Sequence, residues 1–218
     1  MSTRNLLRCG MVAGPLFLIV AFALGLTRPG FDVARHPFSL LSLGQGGWMQ
    51  ITNFVVSGLL FVACAIGLRR SMRSGPGATW GSLFIGLFGA AMIAGGVFVS
   101  DAGAGFPPGA PEGAPTTISW HGALHGLAFA LGMVGLIAAV VVFARRFAAE
   151  NDRDWAWGTV TAGIGTVVLG GAGSAVADWR LTAAGIVVGW LWASAVPARF
   201  LTLDRVGSAV EAPAMDRA

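Results

Sequence analysis

The chain has 218 residues, of which 55% are hydrophobic and 11% charged, and its mean hydropathy is +0.73. Soluble domains carry about a quarter of their residues as charges, so the composition excludes an ordinary water-soluble fold and points to lipid as the solvent. The net charge is +4 and every basic residue is Arg; these sit at the ends of apolar runs, the pattern of a topology signal and not of a nucleic-acid surface.

The first apolar run spans residues 11–26 and follows Arg4 and Arg8. Ala21-Phe22-Ala23 mimics a signal-peptide cleavage site, but the run reads as a retained helix. A loop over residues 27–47 follows. Its apolar stretch after Pro37 predicts a short helix lying in the membrane interface. The second run, residues 49–68, opens with Gln50 and Asn53 and ends at Arg69-Arg70. The third, residues 80–99, closes at Asp101. The segment 102–119 is dominated by Gly, Pro and Ala, a composition that fits a shaped cap as well as a linker. The fourth run covers residues 120–143, the fifth 155–176 and the sixth 181–197, which ends at Pro197 ahead of Arg199.

A run of about 20 apolar residues crosses roughly 30 Å of hydrocarbon. In lipid it satisfies its own backbone only as a helix. The expected fold is therefore all-α: a bundle of six transmembrane helices over residues 1–204, with a polar tail over 205–218. Eleven arginines fall at one end of the bundle and three (Arg28, Arg35 and Arg180) at the other. The positive-inside rule puts the eleven, with both termini, in the cytoplasm. Tryptophans mark both interfaces, Trp48, Trp120 and Trp179 outside and Trp80, Trp155 and Trp157 inside. Cys9 and Cys64 read as small packing residues. An offset of 77 residues relates Trp80 to Trp157 and Asp101 to Asp178, so either a hairpin is duplicated or Gly-rich helices match by coincidence.

Chemistry gathers at the outer end. His121 and His125 are spaced i, i+4, which puts both rings on one helical face. His36 is the remaining histidine, and Asp101 and Asp178 end helices at the same level. Three readings stand for this cluster. It is a hydrogen-bond network that caps the bundle, or a metal site, or a ligand-binding or proton-linked site. In the metal reading His36, His121 and His125 ligate zinc, while Asp101 and Asp178 complete the shell or act as general base on a zinc-bound water. Glu112 is a further candidate base. Arg28 and Arg35 would hold an anionic headgroup, and Asn53 is a third ligand-binding candidate; interfacial anchoring for the arginines and interhelical bonding for Asn53 are the structural alternatives. A haem is a poor fit, because His121 and His125 share a helix and cannot take opposite faces of one ring.

The segments Arg35-His36-Pro37-Phe38-Ser39-Leu40-Leu41-Ser42-Leu43-Gly44, Gly47-Trp48, Asn53-Phe54, Gly67-Leu68-Arg69-Arg70, Asp101 with Gly105-Phe106-Pro107-Pro108-Gly109, and His121-Gly122 with His125 resemble domain-of-unknown-function family 998. That resemblance implies a six-helix protein of the bacterial inner membrane and little about activity. Asp101, His121, His125 and His36 also echo, at the level of a site, the alkaline ceramidase and adiponectin-receptor superfamily of intramembrane zinc hydrolases, which instead have seven helices and the histidine pair on the last. The expectation is a multi-pass membrane protein whose outer His/Asp pocket either hydrolyses a lipid or amide with a metal, or binds or moves a lipid or small molecule. A structural accessory subunit is the third alternative. Membrane lipids are the expected partners, with no nucleic acid.

Overall fold

A computed structural model describes residues 1–72, 74–75 and 77–210, with residues 203–210 as backbone only. Six helices carry the fold: α1 (Thr3–Thr27), α2 (Gly47–Ser71), α3 (Ser82–Val97), α4 (Trp120–Ala149), α5 (Arg153–Val176) and α6 (Trp179–Val210). Six segments are long and apolar enough to cross a membrane, that of α3 beginning with a π-helical turn at Gly77–Gly81. The architecture is all-α, and the protein is a multi-pass membrane protein. Arg73 and Arg217 of the topology count, and residues 211–218 of the expected tail, lie outside the described residues.

Two local features add to the expected fold. Pro197 does not end the sixth helix, which runs through it to Val210. A proline removes one helical hydrogen bond, a loss that membrane helices accommodate when neighbours hold the segment. Here Arg199 pairs with Asp152 at 2.6 Å, and Phe200 packs on Phe143 and Phe147. The stretch after Pro37 does form a short helix, a 3₁₀ turn at Phe38–Ser42, and Phe38, Leu40 and Leu41 are buried. It packs against α1 and α2, so its apolar side chains face the bundle.

Each helix packs on its neighbours in the chain, and α6 returns against α1, so the six close into a ring. Phe17, Phe88 and Trp190 meet at its centre, with ring centroids 5.7 Å apart for Phe17–Trp190 and 4.8 Å for Phe88–Trp190. In lipid, burial of apolar surface does not drive helices together; close backbone approach does. Glycines supply it at the crossings. A Cβ at Gly58 of α2 would stand 2.6 Å from the Gly89 carbonyl of α3. Gly10 of α1 faces Cys64 of α2, and Gly14 of α1 faces the Trp190 carbonyl of α6.

Gly58→Leu should therefore push α2 from α3 and cost about 1–3 kcal/mol. Gly158→Ala, where a Cβ meets nothing within 4 Å, should leave stability unchanged or raise it. Thermal unfolding of the two detergent-solubilised variants checks the contrast.

Candidate functional site

At one end of the bundle, here the histidine end, the two long loops form a single cap. Phe106 is its keystone at 1% exposure. It packs edge-on against Phe31, beside the His36 ring, and beneath the Arg28 guanidinium, which stands 5.4 Å from its centroid. Arg28 also donates to the carbonyls of Leu41 (2.6 Å) and Leu43 (2.7 Å). His36 accepts the Asp32 amide at Nδ1 and therefore carries its proton on Nε2, which donates to the Ala104 carbonyl, both at 2.8 Å. Arg35 reaches Glu112 at 2.9 Å across the same seam. The cap continues to the α5–α6 turn, where the Trp179 amide donates to the Ala34 carbonyl.

A second set of contacts ties the start of α4 to the end of α3. A helix ends with four carbonyls that lack intrahelical partners. His125 Nδ1 donates to two of the carbonyls at this end, Gly95 (3.0 Å) and Phe98 (2.8 Å). One turn earlier, His121 Nδ1 donates to Val99 (2.9 Å). The i, i+4 spacing therefore puts both rings on one face, as expected, and that face meets backbone. Asp101 accepts from the Ser119 amide (2.9 Å) and hydroxyl (2.6 Å). Ser119 in turn caps α4 by accepting the Gly122 amide. A side chain at Gly122 would overlap the Asp101 carboxylate, so only glycine lets the loop close this tightly.

The remaining candidates lie apart. Asp178 is gripped by Arg180, through the backbone amide (3.0 Å), Nε (3.0 and 3.2 Å) and Nη2 (2.7 Å). Asp101 and Asp178, related by the 77-residue offset, thus have different partners. Asn53 is buried in α2, where Nδ2 donates to the Phe17 carbonyl (3.0 Å) and to Gln50 (3.1 Å). Arg28 and Arg35 are engaged within the cap.

Zinc needs three or four protein ligands around one point. Among the described residues, no group of three His, Cys, Asp or Glu is placed to hold a metal ion. His36 has both nitrogens in use, Asp101 is taken by Ser119, and the two Nε2 atoms of His121 and His125 are too few. The donor set does not fit zinc.

Sequence reasoning missed an apolar cavity of about 230 Å³ beside His125. Its walls include Phe17, Phe54, Phe88, Met92, Phe129 and Trp190. Phe129, Met133, Trp179, Ile186 and Trp190 also line a groove of about 680 Å³ between α4, α5 and α6. The reason the groove exists is visible in α5. Midway along α5, Gly163 presses on Val140; toward the histidine end, a Cβ at Gly170 or Gly171 would meet nothing within 4 Å. The two helices touch midway and part toward the histidine end. Phe129, Val134 and Val167 are more than half exposed along the gap, so it opens sideways to lipid.

A family model described as "Protein of unknown function (DUF998)" matches residues 11–199. The chain belongs to this family. The match reaches well past the motifs that carry the resemblance, into α6, and includes the DUF998 cap, the histidine pair and the groove. No curated protein and no solved structure matches the chain.

Two outcomes follow. The Ser119 hydroxyl first, then its amide, hold the Asp101 carboxyl below the usual range. A depressed folded pKa gives stability that is present above the ordinary value of 3.8 and lost as pH falls through the lower folded value. Hydrogen exchange over residues 98–119 should thus rise as pH is lowered from about 5, once the intrinsic pH dependence of exchange is removed. Asp101→Asn should flatten that rise. Separately, a metal chelator should leave the melting temperature of the purified protein unchanged.

Proposed function

We propose that the protein is an inner-membrane protein of bacteria, with both termini in the cytoplasm, that takes up the apolar chain of a membrane lipid without reacting with it. One observation carries this reading: an apolar cavity beside His125 shares five wall residues with a groove that opens sideways between α4 and α5. Small-molecule pockets usually measure roughly 300–1,000 Å³. The cavity at about 230 Å³ suits part of a chain, and the adjoining groove suits the rest. The residues of α4 that line the two run from His125 to Ala138, a rise of about 20 Å along the helix. A chain lying along that face stays inside the hydrocarbon depth. The cap closes the aqueous approach over α1 and α2, which favours entry from the membrane.

Gly126 gives a clean test. It lines the cavity, and a Cβ there meets nothing within 4 Å. Gly126→Phe should fill the cavity mouth and abolish co-purified lipid in native mass spectrometry, while the fold survives with a stability change within about 0.5 kcal/mol. Undiminished lipid on a folded variant would sink the proposal.

A further inference from the structure

The lining of the cavity selects the chemistry of the lipid's head. Methionine aside, the lining residues with polar side-chain atoms are Ser39, His125, Trp179 and Trp190, and the indole nitrogen of Trp190 is itself buried. An indole N–H only donates, and a hydroxyl does either. The histidine is constrained further. Its Nδ1 faces the carbonyls of Gly95 and Phe98, and a carbonyl can only accept, so Nδ1 bears the proton. In the neutral ring Nε2 is then a lone-pair acceptor, and no group among the described residues donates to it. The α3 carbonyls thus fix the tautomer from one side and leave an acceptor on the other, beside an apolar space.

We propose that the ligand is a hydroxyl-headed lipid, such as a long-chain alcohol or a mono- or diacylglycerol, whose O–H donates to His125 Nε2. This rests on the chain-binding reading above and adds the head group to it. His125 lies five residues into α4, about 7.5 Å below its first residue, Trp120. That is where a hydroxyl would sit just beneath the interface with its chain directed down the groove. Lipids whose heads only accept hydrogen bonds, such as esters, ethers or quinones, find no donor at this nitrogen.

The test uses the full chain in phosphatidylcholine nanodiscs, whose head groups carry no hydroxyl. Dodecanol and dodecyl methyl ether are titrated in, with binding read by native mass spectrometry and by the ring-nitrogen NMR signals of His125. The alcohol should bind roughly two- to tenfold more tightly than the ether, the weight of one net hydrogen bond, and only the alcohol should move the Nε2 signal. Gly126→Phe should abolish binding of both. Equal binding of the two ligands, or tighter binding of the ether, would overturn the head-group assignment and leave chain binding standing. Binding of neither would overturn chain binding and the head-group assignment with it.

Discussion

A backbone carbonyl without a partner is costly wherever water is scarce, and the histidine end of this protein is organised around that cost. α3 ends at Val97, short of its neighbours. The carbonyls it leaves would be exposed near the membrane boundary. His125 and His121 reach across from α4 to take them, and Asp101 and Ser119 then fix where α4 begins. The position of α4 follows from these bonds, and with it one wall of the cavity. The histidines are therefore structural in their Nδ1 atoms and chemically available only through Nε2.

The two ends of the bundle are held differently. At the arginine-rich end, Arg199 grips Asp152 in the α4–α5 link, while Phe143, Phe147 and Phe200 stack behind it. At the other end the cap binds α1, α2 and the start of α6, and α5 is left with little cover. Its apolar window is 22% buried, against 56% for α6. The groove thus lies along the helix with the least cover from its neighbours.

Much of this was legible in the sequence, for identifiable reasons. Run length alone gives the six spans, because lipid admits few alternatives to a helix. The spacing of His121 and His125 gives their shared face. What faces them is not legible, because their partners are backbone carbonyls, which every residue carries and no motif marks. The same is true of His36, whose two nitrogens meet the Asp32 amide and the Ala104 carbonyl. That is why a cluster of metal-ligand residue types resolved into separate backbone clamps. Pro197 misled for another reason: the contacts that carry α6 past it come from Asp152, Phe143 and Phe147, far away in sequence. The cavity left only a faint trace, in glycines of α4 and α5 that press on nothing. In a helix rich in closely packed glycines, those look like all the rest.

The pairing of arginines at the histidine end has an electrical consequence. Arg28 is turned onto carbonyls and Phe106, Arg35 onto Glu112, and Arg180 onto Asp178. With Asp32 and Asp101 counted, three positive charges face four negative ones, a net of one negative. Among the described residues, eight arginines at the far end face three carboxylates, a net of five positive. The described part of the molecule is thus a dipole along the bundle axis. A transmembrane potential weights each charge that crosses by about 2.3 kcal/mol per 100 mV. A potential that is negative on the arginine-rich side would hold the bundle in that orientation, and would keep acting on it after insertion is complete.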